Sequence, residues 1–297
     1  MKTLLSPRDV AEVIGVSESS IKRWADSGCL RTTRTAGGHR RITLQEAIRF
    51  IRERGFPLVR PERIGWDELP ANETQETAAE RFRAALEAGH TRIAISMVLN
   101  EYLAGRSLAD IVDHDMAPAM RAIGHMWENN DERGIYIEHR ATDICTLALH
   151  RIRSLHPTEP DAPVALGCSG EADTHSLSSL MAASVLACEG WAVSDLSTST
   201  PASVLVAAVR EQAARLVWIT LCHDGATTEP LLYVKAVAHE LERSGCNARL
   251  IVGGQASAHM PWHKVPGVTH AGSLSELARV ARLVHPGTPT ASAAGSE

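Results

Sequence analysis

The chain has 297 residues, 44% apolar and 22% charged, a globular balance with room for two or three domains. No run of about 18 apolar residues offers a membrane span, the opening MKTLLSPRDV lacks a signal-peptide core, and six scattered cysteines without C-x-x-C spacing indicate neither a zinc site nor a disulfide framework, so a soluble cytoplasmic protein is expected. Residues 1–56 hold 11 Lys and Arg against 6 Asp and Glu, about +5, while the whole chain is −5, so a basic head precedes a body of about −10 that phosphate would repel.

Ser6-Pro7-Arg8-Asp9 is a helix start: Ser6 caps, Pro7 suits the first turn, and Asp9 can close a capping box. Val10, Ala11 and Ile14 form one apolar stripe, and Gly15 ends the helix. A second helix is expected from about Glu18, with Ile21, Trp24 and Ala25 inward and Ser19, Ser20, Lys22 and Arg23 on the other face. Two short helices joined by a Gly-containing turn make a helix-turn-helix, whose second helix can enter the major groove. Arg34-Thr35-Ala36-Gly37-Gly38-His39-Arg40-Arg41 then sets three arginines and a histidine around a Gly-Gly turn, as in a wing that rests on phosphates. Thr43-Leu44-Gln45-Glu46 reads as another capping box, opening a third helix with Ala47, Ile48 and Ile51 inward. Over roughly residues 3–54 the chain resembles the winged-helix domain of the MerR family of transcription regulators, with the IKRWADSGCL and RTAGGHRR blocks at the family's spacing. DNA contacts are expected from Lys22, Arg23, Arg34, Thr35, His39, Arg40 and Arg41, with Ser19 and Ser20 nearest the base edges.

Residues 57–72, rich in proline and glycine, read as a linker. Residues 73–156 carry helical periodicity and fit four helices, about 73–87, 90–104, 107–128 and 135–154, with Pro118 taken up by a kink. Their short connections imply a four-helix bundle. Residues 162–286 change period: PVALG, WAVSD, RLVWITL, NARLIV and GVTH are strand candidates, alternating with helices near 176–189, 202–213, 229–244 and 273–284. That alternation indicates a parallel α/β sheet of Rossmann-like or flavodoxin-like type. Residues 287–297 have the composition of a disordered tail.

Ligands bind at the carboxyl ends of strands in such a sheet. After the first strand comes Ser169-Gly170-Glu171-Ala172-Asp173-Thr174-His175-Ser176, after the third Thr220-Leu221-Cys222-His223-Asp224, after the fourth Gly253-Gly254-Gln255. A His on a loop before a helix can ligate a metal, and an Asp two residues earlier can hold its other ring nitrogen. One histidine cannot hold a bare zinc or iron, but it can supply one axial ligand to a metal already in a macrocycle. The pattern resembles the cobalamin-binding domain of methionine synthase and its relatives, D-x-H-x-x-G, then a Ser/Thr strand end, then Gly-Gly; Ser178 stands where that family prefers Gly. The resemblance implies His175 as the cobalt ligand, oriented by Asp173, with the cofactor's tail beside Ser178, Thr220, Gly253 and Gly254. It also implies an upper cap of Trp127, Glu138 and His139; ten residues separate Trp127 from Glu138, where the family has nine.

Winged helix, bundle and cobalamin domain in this order resemble the CarH/CarA/LitR group of MerR-type regulators. In that group adenosylcobalamin assembles a DNA-binding tetramer, and light cleaves the cobalt–carbon bond and disperses it. The chain departs from the group at Glu128, where the group has the His that takes cobalt after photolysis. The expectation is a regulator, acting as a repressor, that binds operator DNA as a homo-oligomer under control of cobalamin and light. The alternatives are a light-independent sensor of cobalamin or another tetrapyrrole, and a cofactor-independent repressor. A corrinoid enzyme subunit is disfavoured by the winged helix and by the lack of a barrel-sized substrate module.

Overall fold

The computed structural model describes residues 4–64, 77–127, 132–171, 173–222 and 228–285. The described residues form two compact units: one holds those up to Ser107 with His114–Pro157, the other Leu108–Asp113 and those from Thr158 to His285.

The head begins with β1 (Leu4–Leu5) and α1 (Pro7–Ile14). Ser6 Oγ accepts the Asp9 N–H at 3.1 Å, and Asp9 returns the bond to the Ser6 N–H at 2.8 Å, so the expected capping box is complete. α2 (Glu18–Asp26) is capped by Ser17 and buries Ile21 fully. Trp24 sits half-buried, 5.3 Å from both the Phe50 and Phe56 rings, so two of the chain's three phenylalanines seal the back of this helix. β2 (Thr33–Arg34) and β3 (Arg40–Thr43) form the wing, and β1 joins them in a three-stranded antiparallel sheet of order β1-β3-β2. The wing turns at Gly38, whose φ of +79° favours glycine and whose N–H donates to the Thr35 carbonyl at 2.8 Å.

α3 (Leu44–Arg54) corrects one expectation. Thr43 Oγ1 caps the Glu46 N–H at 3.2 Å, but the Glu46 carboxylate does not return to Thr43. It accepts from the Arg31 N–H at 2.7 Å and from Arg49 at 2.6 Å. An acid nine-tenths buried is better satisfied by a guanidinium than by one exposed amide. The stretch read as a linker is ordered through Ile64: the Val59 and Arg60 N–H groups donate to the Val13 carbonyl, and a 3₁₀ turn, Pro61–Ile64, buries Ile64 fully. Its remainder, 65–72, lies outside the described residues.

The bundle contains α4 (Ala78–Ala88) and α5 (Thr91–Leu103). The expected third helix, 107–128, is in three pieces: α6 (Leu108–Ile111), a π turn (Val112–Met116) and α7 (Ala117–Trp127). Pro118 lies in the first turn of α7, where a missing N–H costs least. α8 (Glu132–Arg153) closes the bundle, which has α4 and α5 packed on α7 and α8. Head and bundle meet within the first unit. The Arg52 guanidinium lies 3.6 Å from the Tyr102 ring centroid, the Tyr102 hydroxyl meets His156 Nε2 at 2.5 Å, and Gln45 donates to the Ser154 carbonyl at 3.3 Å. Burial, reinforced by Arg52, lowers the His156 pKa to about 4, so this imidazole is neutral.

The second unit is a sheet of five parallel strands in the order β5-β4-β6-β7-β8. In chain order these are β4 (Val164–Ser169), α9 (Ser176–Cys188), β5 (Ala192–Asp195), α10 (Ala202–Glu211), β6 (Leu216–Thr220), α11 (Thr228–Arg243), β7 (Arg249–Gly253), β8 (Val268–His270) and α12 (Leu274–Val284). The strands alternate faces with period 2. Leu166, Val217, Ile219 and Val252 pack with α10 and α11, whereas Ala165, Leu216, Trp218 and Ile251 pack with α9 and α12. The chain steps from β4 to β5 on one side, then crosses to β6 on the other, so the switch point lies between the ends of β4 and β6. Asp113 belongs to this unit: its carboxylate accepts the Leu274 and Ser275 N–H groups at 2.9 Å each.

Candidate cofactor and nucleic-acid sites

Residues at the switch point are held by strand register. Ser169 and Thr220 end β4 and β6 directly opposite each other. The Ser169 hydroxyl donates to the His175 carbonyl at 2.7 Å and lies 3.2 Å from Thr220 Oγ1, to which Ser178 donates at 3.1 Å. Three hydroxyls therefore converge between the strand ends. Asp173 is 4% exposed, and both its oxygens are used. Oδ1 accepts the His175 N–H at 2.9 Å and His175 Nδ1–H at 2.8 Å; Oδ2 accepts the Cys222 N–H at 2.5 Å. His175, by contrast, keeps 55% of its side chain exposed. The carboxylate sets the tautomer in which Nδ1 carries the proton and Nε2 keeps its lone pair. Burial pushes the Cys222 thiol up to about 11.

Gly253 and Gly254 follow β7. The Gly253 carbonyl accepts the Leu221 N–H at 2.9 Å, and at Gly254 a Cβ would fall 2.4 Å from the Leu221 carbonyl oxygen, with φ at +96°. Only glycine lets β7 turn this closely against the end of β6. His223 and Asp224 lie outside the described residues.

This donor set fits a cobalamin. Among the described residues no group of three His, Cys, Asp or Glu could hold a bare ion. One exposed, carboxylate-braced imidazole provides a single axial position, and the small hydroxyl residues beside it suit a polar tail. Ser169 and Cys222 were read from sequence at the strand ends but not as cofactor-binding residues; the Ser169 hydroxyl and the Cys222 amide join the site through strand register and loop return, which local pattern does not encode.

In the bundle, Trp127 is the last residue of α7, and its side chain, like residues 128–131, falls outside the described parts. α8 begins at Glu132, so Glu138 and His139 stand in its second turn and do not open it. His139 is 76% exposed with Nε2 3.7 Å from the Glu138 carboxylate, which also accepts from Thr142 at 3.0 Å.

In the head, Arg23, Arg34, Thr35 and His39 are exposed. Lys22 pairs with Glu18 at 2.8 Å, and the Ser19 and Ser20 hydroxyls lie 2.8 and 2.9 Å from Ser17 Oγ. Thr35 and His39 close the wing, with the Thr35 N–H donating to the His39 carbonyl at 2.9 Å. Arg41 is half-buried and donates to the Arg40 carbonyl at 3.1 Å. Arg40 is bound differently: one guanidinium nitrogen pairs with Asp26 and another donates to the Lys22 carbonyl at 3.2 Å.

Residues 4–55 match the helix-turn-helix domain family, and residues 78–153 match the B12 binding domain family. The chain joins a helix-turn-helix domain to a B12-binding domain. The match to the B12-binding family covers the helices α4 to α8. The monomethylamine corrinoid protein of Methanosarcina barkeri is similar in fold, with a TM-score of 0.52 at 16% identity, covering 70% of this chain and 98% of its own. Weaker likenesses are the methanol:cobalamin methyltransferase complex MtaBC of Methanosarcina barkeri (TM-score 0.40, 17% identity, 74% of this chain and 87% of its own) and a cobalamin-binding protein of Desulfitobacterium hafniense (0.39, 16%, 69% and 98%). No protein of curated function matches the sequence. Among the described residues no helix of this helix-turn-helix, B12-binding-domain chain is long and apolar enough to cross a membrane.

Proposed function

We propose that the chain is a cytoplasmic transcription regulator, a repressor of the MerR type and not an enzyme, whose assembly on operator DNA is set by adenosylcobalamin and relieved by light. The reading is carried by Asp173 and His175: a buried carboxylate holds an exposed imidazole at the switch point, in a chain that begins with a helix-turn-helix. His175 would supply the protein ligand to cobalt, and Ser178, Thr220, Gly253 and Gly254 would receive the cofactor's tail. Trp127, Glu138 and His139 are assigned to the upper ligand on the resemblance alone. When bound, adenosylcobalamin supplies a photolabile cobalt–carbon bond. Lys22, Arg23, Arg34, His39 and Arg41 hold phosphates, with Ser19 and Ser20 towards the bases. One winged helix offers a single half-site, so assembly multiplies the contacts through effective concentration, and its loss lowers operator affinity by roughly two orders of magnitude. A light-independent cobalamin sensor is the second reading, favoured by Glu128 at the position where the resembled group has His.

Size-exclusion chromatography of the full chain with adenosylcobalamin, in the dark and after illumination, tests the proposal. The expected result is a tetramer in the dark and smaller species after light, with the dark shift lost in His175→Ala. Cobalamin that stays with the protein but gives the same elution before and after light would favour the second reading. Identical elution of apo, dark-loaded and illuminated protein, with no cobalamin spectrum after desalting, overturns both.

A further inference from the structure

Arg40 is one of three arginines in the wing, and charge alone places it on the DNA with Arg34 and Arg41. Its surroundings differ. Its side chain is 22% exposed, against 64% for its partner Asp26. The guanidinium spans two groups of α2: the Asp26 carboxylate in the last turn and the Lys22 carbonyl one turn earlier. A planar fork presents separate N–H donors to a carboxylate and a carbonyl in fixed directions, whereas an ammonium must serve both from a single nitrogen. Arg40 thus reaches from β3 to the Lys22–Asp26 side of the second helix. The Lys22 carbonyl it holds lies between Lys22 and Arg23, two of the proposed phosphate contacts.

We propose that Arg40 is a positioning residue: with Asp26 it forms a strut that fixes the wing against α2, and it makes no phosphate contact of its own. The inference rests on the DNA-binding reading and deepens it. α2 and the hairpin are separate elements, joined through the loop 27–32, and both must meet one duplex. A strut between them sets the distance between groove and phosphate contacts before DNA arrives, so that the ordering cost is met in the free protein. Asp26 has a clear consequence here. An acid beside a DNA-binding helix repels phosphate, and its neutralisation should strengthen binding if charge were its only effect. As half of the strut, its neutralisation weakens binding.

The test uses the full chain and the duplex it selects from a random 30-bp library. Binding is measured across a range of salt concentrations, and amide exchange of Thr35 and Gly38 is followed in the free protein. Arg40→Gln, Arg40→Lys and Asp26→Asn should each weaken binding about three- to ten-fold, the size of one charge-assisted contact of modest exposure, and should leave the salt slope unchanged. All three should also speed wing exchange. Arg41→Ala serves as the contrast, flattening the slope by about 0.9 per lost phosphate contact. The proposal is overturned if Arg40→Gln flattens the slope by about one while Arg40→Lys restores it, or if Asp26→Asn binds more tightly. If the wild-type chain selects no duplex, the regulator reading fails. The exchange measurement then decides the strut alone, and unchanged wing exchange in Asp26→Asn refutes it.

Discussion

Asp173→Asn isolates the second link of the proposed cobalt site. The native carboxylate accepts three N–H groups, two on Oδ1 from His175 and one on Oδ2 from Cys222. An asparagine offers one acceptor oxygen, and its NH₂ must face a donor on the other side. Two donors against one place the oxygen towards His175, so the tautomer survives while the Cys222 N–H loses its partner. At a site 4% exposed, leaving that amide unpaired costs about 1–3 kcal/mol. The imidazole is then braced by a neutral acceptor, which makes Nε2 a poorer donor, and cofactor affinity should fall at the low end of the 10–100-fold range typical of such partners, about ten-fold. Asp173→Ala removes the brace altogether and should reach about 100-fold. Absorbance titration with cobalamin gives the affinities, and urea unfolding of the apo protein gives the stability. If Asp173→Asn binds within two-fold of wild type and unfolds at the same midpoint, the carboxylate neither orients the ligand nor ties the Cys222 loop, and the site is misassigned.

Acid should loosen the first unit through His156. Its folded pKa is about 4 against an ordinary 6.5, so the unfolded chain takes the proton first; stability is full above pH 6.5 and is lost between 6.5 and 4. By pH 5 this amounts to about 2 kcal/mol, read as a lower urea midpoint than at pH 7. His156→Gln should flatten that dependence, and an equally steep one in the variant would contradict the assignment. Gly254→Ala should cost at least 3 kcal/mol, since it combines a positive φ with a Cβ 2.4 Å from a carbonyl oxygen, or on the order of the largest single-residue effects. Gly190→Ala is the control: its φ is +85° with nothing within 4 Å, so the cost should stay near 1–2 kcal/mol. Equal losses at the two positions, measured by thermal unfolding, would show that crowding at Gly254 is not what requires glycine.

What the sequence made legible is what depends on near neighbours. Short apolar runs in PVALG and RLVWITL and the longer helical stretches between the strand candidates located the strands and helices of the second unit to within a few residues, because β4 and β6 are buried on both faces. Ser6 with Asp9, and Gly15 behind them, worked as read for the same reason: cap and partner lie within one turn. The third bundle helix failed as a single element, since the pattern cannot show that Leu108–Asp113 belongs to the second unit, where α6 packs with α9 and α12, while the chain from His114 belongs to the first.

Glu46 and Arg40 show where such reading ends. Both were assigned by residue type and spacing, one to a capping box and one to DNA. Each has a partner distant in sequence that spacing did not show: Glu46 the Arg31 amide, 15 residues away, and Arg40 the Asp26 carboxylate, 14 residues away. A long charged side chain chooses among all groups within reach, and the fold decides which are present. Near-neighbour rules therefore succeed for backbone amides at helix ends, whose partners are fixed by the turn. They do not reach the Arg31 amide on the Glu46 carboxylate or the Asp26 carboxylate on the Arg40 guanidinium, pairs that are fixed by packing. The Asp173–His175 pair escapes that failure only because both members sit in one tight turn, two residues apart. Its third partner, the Cys222 amide 49 residues away, follows the rule and was not foreseen.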